Sequence, residues 1–236
     1  MGSRWDRKRS QPRLWEYYDR RVEQGVPGLS NAVAYWSGLG VETSEQEIAA
    51  EAMRVEQTLR SLPPRRFLEV GAGPGTFTGL LPGPGLALDQ SQAALCALTC
   101  HAPDVPVVRG DALRLPFGDG SADRLFAAHI YGLLGSRERA AFLKEARRVA
   151  GEIVVLDAGR PPGVPAEHWQ DRSLPDGTEW RIFRRHFEPG ALAEEIGGRL
   201  LFGGRFYVLA VATLEPSGAT ANQSPPTPSP PSSPGR

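Results

Sequence analysis

The stretch Phe67-Leu68-Glu69-Val70-Gly71-Ala72-Gly73-Pro74-Gly75-Thr76 constrains the chain more than any other. Its apolar start reads as a buried strand, which then breaks into glycines at alternate positions. Gly71, Gly73 and Gly75 remove side chains where backbone must turn sharply or lie bare against a ligand. A strand, a glycine loop and a following helix open a nucleotide-binding α/β fold. The dinucleotide fingerprint G-x-G-x-x-G would need its third glycine at position 76, where Thr76 stands. A glycine loop alone can also be scaffold, so the residues downstream must decide.

Those residues alternate strand and helix. The spacing predicts a short helix over 76–81, a second strand at 86–88 ending in Asp89, and a helix from Gln92 to about His101. A third strand at 105–108 leads into Gly110-Asp111-Ala112-Leu113-Arg114-Leu115-Pro116-Phe117. Asp123 precedes a fourth strand, Arg124 to Ala128, which His129 follows. A helix from Ser136 to Ala150 comes next. The fifth strand, Ile153 to Leu156, is apolar throughout, as in a parallel strand covered on both faces. A helix begins at Pro189, and 200–213 reads as a closing hairpin.

The order E-x-G-x-G-x-G, then Asp89, then Asp111-Ala112, then Asp123 resembles the class I S-adenosylmethionine (SAM) dependent methyltransferases. The likeness spans about Arg66 to Thr213 and is similar to the small-molecule group that includes the quinone-biosynthesis enzymes. It implies a Rossmann-like, doubly wound, mainly parallel seven-stranded sheet with an antiparallel C-terminal hairpin. It implies SAM as cofactor, with Glu69, Gly71, Gly73 and Gly75 at its methionine end and Asp89 with Gln90 at the ribose. Asp111, Ala112 and Ala128 complete the implied cofactor site. Tyr18 belongs to a Tyr17-Tyr18-Asp19 run that resembles the helix closing over the cofactor, or that simply packs its helix on the domain.

We therefore expect methyl transfer to a small-molecule acceptor, or else a non-catalytic SAM-binding subunit of the same fold. Direct displacement needs a base only if the accepting atom loses a proton, and His129 and His186 are the two candidate bases. The expected organisation is a flexible start (1–13), an N-terminal helical cap (14–62) and a core (63–214) with a substrate lid at 157–187. A disordered Pro/Ser-rich tail (215–236) would follow. Within the cap, the Gly-rich, aromatic stretch 25–42, with Tyr35 and Trp36, reads as a loop near the active-site mouth, and the Ser44/Glu47 capping box opens a packing helix. Arg181, Arg184 and Arg185 in the lid suit either an anionic substrate or a solvated strand face.

Zero net charge argues against a nucleic-acid partner, and the apolar runs are too short to cross a bilayer. The basic N-terminal residues precede no apolar segment, so we expect a cytoplasmic monomer or homodimer without a secretory signal. Cys96, Cys100 and His101 lack the paired spacing of a zinc site and read as reduced, partly buried thiols, with no metal.

Overall fold

The computed structural model describes residues 14–25 and 32–214. In chain order it contains α1 (Leu14–Glu23), α2 (Ala32–Gly38), α3 (Glu45–Arg60), β1 (Phe67–Val70) and β2 (Gly85–Asp89). These are followed by α4 (Gln92–His101), β3 (Val107–Arg109), β4 (Arg124–Ala128), α5 (Ser136–Val149) and β5 (Glu152–Ala158). The remainder is β6 (Glu167–Ser173), β7 (Glu179–Arg185), α6 (Pro189–Ile196), β8 (Arg199–Gly203) and β9 (Tyr207–Thr213). The expected flexible start and Pro/Ser-rich tail lie outside the described residues.

Seven strands form one sheet in the order β3-β2-β1-β4-β5-β9-β8, with β6 and β7 apart as a hairpin. β1 pairs in parallel with β2 on one side and β4 on the other, so strand order reverses beside it. Ligands of such sheets lie at the carboxyl ends of the strands at that reversal. β9 runs antiparallel between β5 and β8, as the C-terminal hairpin requires.

Side chains of a strand alternate between faces, and the two faces have different coverings. On one, Leu68, Leu125, Ile153 and Val155 pack with Phe142 and Ala146 of α5 and with Leu192 and Ile196 of α6. On the other, Phe67, Phe126, Val154 and Leu209 pack with Ile48, Val55 and Leu59 of α3 and with Trp36 of α2. Fully burying an aliphatic or aromatic side chain contributes roughly 1.5–3 kcal/mol, so these two layers dominate the fold's stability. Both members of the Ser44/Glu47 capping box are present at the start of α3.

Two expectations need correction. The 25–42 stretch is not all loop, because Ala32–Gly38 form α2 and bury Trp36; positions 26–31 lie outside the described residues. No helix forms over 76–81. Gly75 and Gly79 take left-handed φ of 92° and 88°, which interrupts any right-handed turn, and Pro82 follows three residues after Gly79. The crossover from β1 to β2 is therefore a run of turns.

Candidate active site

The glycine loop is held open by β2. The Asp89 carboxylate accepts from the Gly73 N–H at 2.8 Å through one oxygen and from the Ser91 N–H at 2.8 Å through the other. A carboxylate has about four lone-pair sites, so each oxygen keeps acceptor capacity for a ligand hydroxyl. Burial raises the Asp89 carboxyl above its ordinary range, and the amide bonds oppose that shift. Gly73 has φ of 56° with open space where a Cβ would stand, whereas a Cβ on Gly71 would meet the Ile130 side chain at 2.7 Å. Glu69 shares its sheet face with Phe67 and Phe126, is 1% exposed, and accepts from the Thr78 hydroxyl at 2.6 Å. Desolvation pushes its carboxyl up to about 7.

A cavity of about 910 Å³ runs from this loop across the carboxyl end of the sheet. Of the sequence-predicted residues, Tyr18, Gly71, Gly73, Asp89, Gln90, Asp111, Ala112, Ala128 and His129 line it. Glu69, Gly75 and His186 do not. Asp111 shapes its own loop by accepting from the Leu113 N–H at 2.9 Å. Arg109 donates to the Gln90 carbonyl at 2.9 Å while its guanidinium lies 5.5 Å from the Trp15 ring centre.

The roof comes from α1 and the β6–β7 hairpin. Asp19 accepts from the Ser91 hydroxyl at 2.5 Å and the Ala93 N–H at 3.0 Å, which ties α1 to the start of α4. Tyr17 is buried with Leu133, Leu174 and Ile182, fixing α1 against the hairpin. Burial pushes the neighbouring Tyr18 phenol up to about 12, so it stays protonated near neutral pH. Asp176 at the hairpin turn accepts from Gln24 at 2.8 Å and pairs with Arg20 at 3.4 Å.

Along β6, exposure alternates strictly, and His168, Gln170 and Arg172 occupy the less exposed positions. They stand opposite Arg184, Ile182 and Trp180 of β7. Arg184 reaches through the hairpin to the sheet, where it pairs with the fully buried Asp157 at 3.1 Å. Burial alone would raise the Asp157 carboxyl, but the Arg184 guanidinium and the Gly132 N–H, 2.6 Å from Asp157 Oδ2, hold it below its ordinary value.

His129 stands where β4 ends. It is a non-glycine residue at φ of 58°, a conformation that costs about 1–3 kcal/mol and collects at functional positions. Its N–H donates to the Leu156 carbonyl at 2.8 Å, and its ring lies 5.7 Å from Phe77 and 5.9 Å from Tyr207 between centres. Nδ1 faces Asp157 at 3.8 Å and Arg184 at 3.4 Å, while the buried Nε2 has no partner among the described residues. Tyr207 is itself fixed by Glu51 of α3, whose carboxylate accepts from the N–H groups of Arg205, Phe206 and Tyr207.

His186 stands behind Tyr35, sharing a 2.7 Å hydrogen bond with its phenol. Burial, helped by the charge of Arg184, lowers the His186 imidazole to about 4, so it is neutral near pH 7. The structure thus sets it behind the cavity wall, in contact with the lining residues Tyr35 and Trp36. Asp123 lies elsewhere, at the opposite end of β4, where it takes two bonds from the Arg66 guanidinium at 3.1 and 2.8 Å. Cys96 and Cys100 are free and exposed rather than partly buried. Among the described residues no group of three or more His, Cys, Asp or Glu could hold a metal ion, and no helix is long and apolar enough to cross a membrane. Sequence reasoning placed Tyr35 in a stretch near the mouth of the site and Gln170 and Arg172 within the lid, but gave none of them a role. The period-2 alternation of β6 was the available signal, but which of its faces meets the cavity depends on the fold.

Residues 68–152 match a methyltransferase domain family. A demethylmenaquinone methyltransferase of Beutenbergia cavernae is 35% identical over 115 residues, covering 46% of this chain and 47% of that protein. A malonyl-[acyl-carrier protein] O-methyltransferase of Methylococcus capsulatus is 41% identical over 73 residues, covering 28% and 26%. The chain spans about half the length, or less, of these curated relatives. Among solved structures, the complex of DhpI with SAH superposes with a TM-score of 0.63 at 22% identity, over 86% of this chain and 95% of that one. The fold is that of the SAM-dependent methyltransferases.

Proposed function

We propose that this chain, built on a class I methyltransferase domain, transfers a methyl group from SAM to a small molecule held beneath α1 and the β6–β7 hairpin. One observation carries the reading. A single cavity joins the glycine loop, Asp89 and Asp111 to the side chain of His129, whose buried Nε2 has no partner among the described residues. The residues present fit the cofactor. Asp89 keeps acceptor capacity for a ribose diol, Gly73 leaves the cradle bare, and Asp111 offers an acceptor for an adenine amino group.

When bound, SAM supplies an electrophilic methyl group on a sulfonium. The protein's own task is then to exclude water and align the acceptor, and such positioning can lower a barrier by roughly 7–11 kcal/mol. The roof formed by Tyr17, Tyr18 and Ile182 provides the exclusion. His129 would take the proton that an accepting hydroxyl or amine releases, through Nε2. The strained backbone and the flanking Phe77 and Tyr207 rings hold it for that role. Asp157 offsets the imidazolium charge, and Arg184 keeps Asp157 ionised in its buried place. His186 orients Tyr35 rather than meeting the acceptor.

The relatives' names point to different acceptors, a demethylmenaquinone in one case and a malonyl group in the other, so the cavity is the better guide. Screening acceptors by SAH release tests the reading, with His129→Gln run beside the wild type. General base catalysis contributes typically 10²–10⁴-fold, so the variant should lose at least about a hundredfold in turnover while SAM affinity stays within about twofold. Full turnover in His129→Gln removes the base from the account. SAM binding with no transfer to any acceptor favours the non-catalytic alternative.

A further inference from the structure

The inward face of the hairpin carries a cation that nothing in the methyl-transfer account uses. Arg172 lines the cavity, and among the described residues no carboxylate pairs with it. Its Nη2 donates to Gln170 Oε1 at 2.7 Å, and its guanidinium lies 5.2 Å from the Tyr35 ring centre. That bond fixes the Gln170 amide, whose nitrogen then donates to the Tyr35 oxygen at 3.1 Å and to His168 Nε2 at 2.7 Å. Tyr35 accepts from Gln170 and donates its own O–H to His186 Nε2 at 2.7 Å. The run of bonds from Arg172 through Gln170 and Tyr35 to His186 is thus oriented, with Arg172 at its end.

The charge balance at this end of the cavity is one-sided. Arg184 is cancelled by Asp157. The Asp89 and Asp111 carboxylates belong to the other end, at the glycine loop and the following strand. Arg172 retains a full positive charge, and among the described residues only one of its five N–H donors has a hydrogen-bond partner. The Arg172 charge also reaches His168, whose imidazole is held below its ordinary range by burial first, then by Arg184 and Arg172. An arginine fork, stacked on a tyrosine and half removed from solvent, suits planar or tetrahedral oxyanions in a way that an ammonium does not.

Building on the methyl-transfer reading, we infer that the acceptor carries an oxyanion, a carboxylate or a phosphoryl group, which Arg172 binds on the inner face of the β6–β7 hairpin. Tyr35 and Gln170 hold the guanidinium in place, so the anion anchors the acceptor while its reacting atom extends toward His129. A wholly apolar or neutral acceptor would leave this half-buried cation without a counter-charge in the cavity.

Calorimetric titration with benzoate, phenylphosphonate and benzyl alcohol, on the free and the SAH-saturated protein, tests the inference. One or both anions should bind saturably and at least tenfold more tightly than benzyl alcohol, and the preferred anion identifies the oxyanion class. Arg172→Met should weaken that anion at least tenfold while retaining SAH affinity, which also shows that the variant is folded. Arg181→Met, on the outer face over Trp169, should bind the anion as the wild type does. Benzyl alcohol binding as tightly as the anions, no saturable anion binding, or equal anion affinity in the Arg172→Met and Arg181→Met variants would overturn the inference. Failure of SAH to bind the wild type would count against the methyl-transfer reading instead, and the free-protein titration would still report on Arg172.

Discussion

The Asp89 carboxylate accepts the Gly73 N–H at 2.8 Å and so joins the end of β2 to the middle of the glycine loop. The contact does two things at once. It fixes the left-handed turn at Gly73, and it aims a carboxylate into the cavity beside the bare loop. Asp89→Ala removes both, and charge-assisted hydrogen bonds contribute roughly 1.5–3 kcal/mol each. We predict at least a tenfold loss of SAM affinity by calorimetry. Unchanged affinity would place Asp89 outside the cofactor site.

Glu69 gives a pH signature. Its buried carboxyl titrates at about 7 in the folded protein against an ordinary value of 4.5. Between those values the folded state holds a proton that the unfolded chain has released, so stability falls as pH rises through the window and levels off above it. Glu69→Gln keeps an acceptor for the Thr78 hydroxyl and removes the titration. Across pH 4.5 to 7 the wild type should lose on the order of 3 kcal/mol more than the variant in denaturant unfolding. Parallel stability curves for the two proteins would contradict the assignment.

The Asp157–Arg184 pair makes a stability prediction. Asp157→Asn leaves the Arg184 guanidinium, 12% exposed, without its counter-charge. Breaking one side of a buried pair costs about 3–5 kcal/mol. The melting point should therefore fall by roughly 2–4 °C for each kcal/mol lost. Adding Arg184→Met to Asp157→Asn should recover part of the loss, because the stranded charge is gone. Strictly additive losses in that double-variant cycle would show that the two groups are not coupled.

The parallel sheet was legible because its strands are short, apolar and evenly separated by helical patterns; β4 begins and ends where its residues predict. Asp89 and Asp111 were legible because an acid directly after a strand lands at the sheet's carboxyl end, where the cavity lies. Asp123 fell at an equally suggestive spacing but precedes its strand, which puts it at the far end in a clamp with Arg66. The absent helix over 76–81 had a local sign in Gly75, Gly79 and Pro82, outweighed by the expectation that a helix follows the glycine loop. Tyr35, Gln170 and Arg172 fell in stretches expected near the site, but nothing local gave them a role. They belong to α2 and β6, and only the docking of a hairpin some 135 residues away from Tyr35 brings the phenol to Gln170. Contacts between distant segments are what single-sequence patterns do not encode.

Thermal unfolding with SAM, SAH and NADH at matched concentrations tests the central claim most directly. A ligand at 100 times its dissociation constant stabilises the native state by about 2.7 kcal/mol. For a chain of this size that amounts to a rise in Tm of roughly 5–10 °C. We predict that rise with SAM and with SAH and none with NADH. A shift with NADH alone, or no shift with SAM and SAH, would contradict the assignment of the Gly71–Gly75 loop and Asp89 as a SAM site.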